Sequence, residues 1–169
     1  ADIGFMGAEA TVYAYLEGTA DPVVNFAQLT QRAGNFVVGR EKDNSFTWEK
    51  LKNKEVLGGR KGGMPEMVFE YVLAQKGIDK KDVNINQSID FGSTAAAFSG
   101  GQGDYTIEFE QSATLLEQKG DGYVVASLGT ESGYVPYTPY SVKLSYLKMH
   151  GATVEKFTKA LQKGMDFSD

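Results

Sequence analysis

The sequence predicts an α/β fold with a mainly parallel sheet. Runs rich in β-formers alternate with runs of helical period along almost the whole chain, the pattern of successive βα units. The 169 residues suffice for one domain or two small lobes. At 41% hydrophobic and 23% charged, the composition is that of a globular chain able to bury a core without staples.

The elements follow in order. "ADIGF" is a short strand with a tight Gly exit. "GAEATVYAYLEG" is a helix whose Ala8, Val12, Tyr15 and Leu16 share one face, with Gly18 as its stop. "DPVVNFAQLTQ" holds a turn and a strand, and "NFVVGR" is a strand of β-formers. "SFTWEKLKNK" opens on a Ser or Thr cap and reads as a short helix, with Trp48 covering the core. "EVLGG" is another strand. The helix from Pro65 to Lys76 is the clearest element: Pro65 suits a first helical position, Met64, Val68, Tyr71 and Val72 line one side, and Gly77 ends it.

"DVNINQSI" alternates as a strand, "STAAAFSGG" is a short helix, and "DYTIEFE" is a strand. "SATLLEQKG" is a helix and "GYVVASLG" a strand. "YVPYTPYSVKL" is extended, because each residue before a proline is steered away from helix. The tail "TVEKFTKALQKG" is amphipathic through Val154, Phe157, Leu161 and Met165. A strand, a Gly turn and an acidic first helical turn recur at "DIGFMGAEATVYAYL" and "EVLGGRKGGMPEMVFEYVL", a likeness that any two βα units would show.

Several function classes fall away at once. A net charge of -5 gives no basic footprint for nucleic acid. With no cysteine there is no thiolate metal site, Cys nucleophile or disulfide. The single histidine, His150, lies between two helices just before a Gly, where a helix C-terminal contact accounts for it. One His and no spaced acidic loop predict no metal, and no G-x-S-x-G elbow supplies a nucleophile. No cofactor is expected. No run approaches the length that spans a bilayer. The chain opens on "ADIGFMG" without an initiator Met, which reads as the inside of a strand, so a processed product or a fragment is expected.

The stretch "VLGGRKGGMPE" raises the question of a phosphate loop. From Gly58 the second glycine of a Walker loop falls at Gly63, but Met64 stands where Lys is required, and no hydroxyl follows. What remains is a Gly-rich turn into a helix start, whose N–H groups and dipole favour a polar oxygen, with Arg60 and Lys61 beside it. A plain strand-to-helix turn explains the same residues. Glu108 and Glu110 in "IEFEQ" share a strand face, as residues two apart do, and serve either as a solvent edge or as one ligand contact. Asp90 and Asp104 read as turn or cap residues. Tyr134, Tyr137 and Tyr140 in "SGYVPYTPY" form an aromatic extended segment that suits a pocket wall or a crossover with buried rings.

The order "ADIGFMG", "EKLKNKEVLGGRKGGMPEMVFEYVLAQKGI", "DFGSTAAAFSGGQGDYTIEFE", "GYVPYT" resembles the NMT1/THI5-like group of type II solute-binding proteins. These are extracytoplasmic receptors of ABC importers for sulfonates, taurine, nitrate and thiamine-precursor pyrimidines. The resemblance implies two α/β lobes joined by two crossovers, with a small solute held between them. It places residues 1–39 in part of lobe 1, 40–127 as a complete lobe 2, and 128–169 as the crossover and return. The crossovers would fall near Val38 to Arg40 and near Ser127 to Tyr134.

By position, the resemblance implies ligand contacts from Gly7, Ala8 and Glu9 on one lobe and from Gly62, Gly63 and Met64 on the other. Glu108, Glu110, Tyr134 and Tyr137 would stand at or near the cleft. It implies a small-molecule solute and a membrane permease as partners, and no catalysis. The enzymes of this fold that make the thiamine pyrimidine rely on a Cys-rich motif, which this chain lacks. Two departures stand out: Phe109-Glu110-Gln111 replaces a usual Phe-Glu-Pro, and Asn53 stands in Leu51-Lys52-Asn53-Lys54 where Gly is usual. Family members run to about twice this length, so the alternative expectation is a shortened lobe whose binding is weakened or lost and which self-associates or acts as an interaction fragment through exposed edges, with an enzyme as the lesser alternative.

Overall fold

The computed structural model describes residues 2–168. The chain forms two compact units, residues 1–31 with 136–169, and residues 32–135.

The first unit is built on a three-stranded antiparallel sheet. Strand β1 (Ile3–Phe5) and strand β2 (Val23–Thr30) flank β8 (Thr138–Lys143) on its two sides. Helix α1 (Glu9–Leu16) follows β1, and α6 (Leu144–Ser168) follows β8. Of the predicted α1 face, Val12, Tyr15 and Leu16 are exposed, and the helix buries Thr11 instead. The cause is a polar attachment: the Thr11 hydroxyl donates to the Ala8 carbonyl and accepts from the Asn25 amide on β2, while the Ser141 hydroxyl on β8 donates to Asn25 Oδ1. The α6 stripe does turn inward. Val154 is buried, and Phe157 packs edge-on against Phe26 and Tyr140. His150, predicted between two helices, sits at a kink in α6 with φ -129° and ψ 32°.

The second unit carries a five-stranded sheet in the order β5-β4-β6-β3-β7. Its strands are β3 (Asn35–Gly39), β4 (Glu55–Leu57), β5 (Asn84–Asn86), β6 (Tyr105–Phe109) and β7 (Tyr123–Ser127). Strands β4, β5 and β6 pair in parallel, and β3 pairs antiparallel with both β6 and β7. Four strands therefore run one way and β3 alone is inverted. Helix α2 (Met64–Gln75) packs on α5 (Leu128–Ser132), and α3 (Thr94–Ser99) and α4 (Glu110–Lys119) pack on β6. The predicted helix at "SFTWEKLKNK" is only a 3-10 turn, Trp48–Leu51, which still buries Trp48 against Phe69 and Phe46. Helix α2 buries Val68, Phe69, Val72 and Leu73, while Tyr71 of the predicted face is exposed. On the other side of the sheet Val38, Leu57, Phe98, Ala113 and Leu116 form a core cluster.

The units part at 31/32 and 135/136, where the sequence reading had 39/40 and 127/128. Residues 32–39 belong to the second unit because β3 is hydrogen-bonded along both edges, so the sheet cannot release it. Residues 128–135 belong there because α5, unpredicted from sequence, docks on α2 and β3. Arg32 closes this corner: its guanidinium donates to the Gly129 carbonyl at 3.2 Å and lies 4.5 Å from the Tyr134 ring centre.

Candidate functional site

In the second unit the strand ends and helix starts converge. Gly58 follows β4, Gln87 follows β5, Glu110 follows β6, and Leu128 follows β7, while the inverted β3 begins there at Asn35. In α/β sheets, ligands bind beyond this carboxyl end of the strands. Side chains confirm that the segments meet. The Phe91 and Phe109 rings cross edge-on at 5.0 Å. Gly59, at φ 75°, lies so close to Phe91 that a Cβ would fall 2.6 Å from its ring. The Gln87 amide donates to Glu66 of α2.

Gly62, Gly63 and Met64 lie here as the turn into α2, with Gly63 as the N-cap. The turn is knit internally: the Gly62 N–H donates to Glu66 Oε2 at 3.1 Å, and the Gly63 N–H to the Arg60 carbonyl at 3.2 Å. Arg60 and Lys61 are exposed. Glu66 is only 3% exposed, and burial, followed by the neighbouring Glu70, pushes its carboxyl above the ordinary glutamate value. Glu70 is itself held down by Glu66 and by Lys80, 2.7 Å away, against the opposing effect of burial.

Glu108 and Glu110 do not share a strand face. Strand β6 ends at Phe109, so Glu110 opens α4 and is exposed, accepting from the Thr114 hydroxyl at 2.8 Å. The helix starts at Glu110 with Gln111 in place of the usual proline. Glu108 is 1% exposed, with its carboxyl raised by burial and opposed by the Thr106 and Thr94 hydroxyls. Tyr134, in contact with Arg32, is exposed.

Gly7, Ala8, Glu9 and Tyr137 lie together in the first unit. Gly7 precedes α1, Ala8 is its N-cap, and Glu9 is its first residue with its carboxylate folded back over Gly7. Tyr137 is 5% exposed, and its hydroxyl is driven well above the ordinary tyrosine value, mainly by burial and further by Glu9. The Tyr137 N–H donates to the Thr30 carbonyl at 3.2 Å, and the Thr30 and Thr138 hydroxyls bond to each other. In each unit, then, the predicted residues sit at the end from which the two connecting segments leave.

The first unit also has an apolar groove of about 480 Å³ between β2 and α6, lined by Leu29, Phe157, Leu161 and Met165 among others. It contains none of the predicted site residues.

The NMT1/THI5-like family model matches residues 1–168. The chain belongs to the NMT1/THI5-like family. The "Putative binding protein YtlA" of Bacillus subtilis (strain 168) is 51% identical over 167 residues, covering 98% of this chain and 50% of that protein. Among solved structures, the periplasmic aliphatic sulphonate binding protein SsuA of Escherichia coli superposes with a TM-score of 0.77 at 19% identity, covering 92% of this chain and 49% of that one. The alkanesulfonate-binding SsuA of Xanthomonas axonopodis pv. citri, bound to MOPS, gives 0.79 at 21% identity, with 96% and 54% covered. The fold is thus that of the periplasmic binding proteins, and this NMT1/THI5-like chain spans about half the length of those relatives.

Four residues at this end escaped the sequence reading. Phe91 was not singled out and Phe109 only within Phe109-Glu110-Gln111, and nothing local marks their pairing. Glu66 did carry a signal, since a Glu three residues after a helix cap is placed to reach back over the first turn. Asn35 opens the otherwise apolar "NFVVG" strand, and its position was the clue. It is fully buried, and neither amide atom has a partner in the chain among the described residues.

Proposed function

We propose that this chain is the solute-capturing part of an extracytoplasmic receptor of an ABC importer. Its partners would be a small polar organic solute, held between the two units, and the importer's membrane permease. The observation that carries this reading is the family match along residues 1–168. The grouping of the predicted contacts, in each unit, at the end where the connections leave supports it. Among the described residues, no helix is long and apolar enough to cross a membrane.

In this reading Gly7, Ala8, Glu9 and Tyr137 supply one wall of the site, and Gly62, Gly63, Met64, Glu110 and Tyr134 the other. Glu108 acts from beneath that second wall. The protein is a receptor and not a catalyst, as the names of its relatives as binding proteins suggest. The solute is a thiamine-precursor pyrimidine or a related nitrogen-containing compound in preference to a sulfonate, taurine or nitrate. Aromatic walls and acidic side chains suit the former.

Calorimetric titration of this chain against a panel spanning aminopyrimidines, amines, sulfonates and nitrate tests the proposal. Saturable heat with one chemical class is expected. A folded chain that binds nothing across the panel would overturn it for this half-length chain.

A further inference from the structure

The start of α2 is already occupied by the chain's own carboxyl group. A helix start offers unpaired N–H groups and the positive end of the dipole, and so draws anions. Here the two N–H groups just ahead of the helix, at Gly62 and at the N-cap Gly63, are engaged from within. The Gly62 N–H is donated to Glu66, the Gly63 N–H to the Arg60 carbonyl, and Pro65 has no N–H to give. Glu66 stands third in the helix, the position from which a carboxylate reaches back across the first turn. Gln87, arriving from beyond β5, donates to its other oxygen. Near-complete burial holds the side chain there, and Glu70 lies one turn further along.

We propose that Glu66 is a specificity-determining residue of the solute site: it fills the place an anionic group would take at α2. The solute therefore meets this helix through a neutral or cationic group. The inference rests on the solute-binding reading above and narrows it. A sulfonate or nitrate would have to displace Glu66 from both Gly62 and Gln87 and then sit beside two carboxyl groups. A neutral or cationic group, such as an amine or an amidine edge, faces neither that displacement nor that repulsion.

The test uses methanesulfonate and nitrate as probes on the wild-type chain, Glu66→Gln and Glu66→Ala, followed through the Gly62 and Gly63 amide resonances. The wild type and Glu66→Gln, whose amide still fills the place, should show no saturable shift. Glu66→Ala should bind methanesulfonate at least about tenfold more tightly than the wild type, the worth of a charge-assisted bond at a helix start. Saturable binding of either anion to the wild type at these amides would overturn the assignment, and needs no variant to fold. So would a folded Glu66→Ala chain that gains nothing. The solute panel separates the two proposals. If Glu66→Ala gains anion binding while the wild type binds no solute, the receptor reading fails and the role of Glu66 stands.

Discussion

The Thr106 hydroxyl donates to Glu108 Oε1 across 2.7 Å inside the sheet of the second unit, two residues apart on one face of β6. A carboxyl group so enclosed keeps its proton more readily than one in water, and burial raises it above the ordinary value of 4.5. A raised native value means that its contribution to stability is complete below that ordinary value and is lost as pH climbs through the native one. Glu108→Gln should therefore flatten the fall in stability above pH 4.5. Between pH 4 and pH 8 the variant should lose less stability than the wild type. Urea melts of both proteins at pH 4 and pH 8 check this. Part of the slope should persist in the variant, because Glu66 is raised in the same direction. An unchanged slope would show that Glu108 does not titrate in this range.

Asn35 holds two buried polar atoms without partners among the described residues. Each such atom costs roughly 1–3 kcal/mol relative to water. Asn35→Leu, which keeps the branched heavy-atom outline and removes both polar atoms, should raise the urea midpoint, with a gain of about 1–3 kcal/mol. A loss of stability would mean that the amide is satisfied in solution by water.

Phe69 is fully buried on α2, with its ring centre 6.4 Å from that of Trp48. Phe69→Ala removes a large, fully buried side chain of that layer and should cost roughly 3–5 kcal/mol. Trp48 emission should shift to the red in the same variant as water reaches the indole. A native Trp48 spectrum would place the layer's support elsewhere.

Gly129 sits in α5 with its α-carbon facing the Ala33 carbonyl, and a Cβ there would strike that oxygen. The obstacle is backbone, which cannot swing aside as a side chain can. Gly129→Ala should push α5 off β3, loosen the Arg32 bond to the Gly129 carbonyl, and cost more than about 2 kcal/mol. Amide exchange at residues 128–132, compared with residues 64–75, reads whether the loosening is local.

Much of the fold was legible because its cues are local. Runs of β-formers marked β2, β3, β6 and β7, and Pro65 with Gly77 bracketed α2 within one residue at each end. Asn53 stands in the left-handed region at φ 61°, where the usual glycine would go, as expected of Asn. Cues that depend on a boundary failed. Glu108 and Glu110 seemed to share a strand face until the strand ended at Phe109 between them. The apolar stripe of α1 predicted burial, but the Thr11 and Asn25 contact turned the opposite side inward.

By itself the sequence determined the alternating elements, the family, and which glycine-rich turns open onto helices. These depend on backbone propensity and on the order of short motifs. Only the tertiary structure decided the polarity of the α2 start. Whether a helix start is open to an anion depends on which side chain folds back over it and what buries that side chain. Gln87 reaches Glu66 across 21 residues of sequence, and no local pattern encodes that pairing. The same holds for Asn35 and Glu108: burial belongs to the packed sheet, and a polar residue in a strand shows its consequence only once its neighbours are in place.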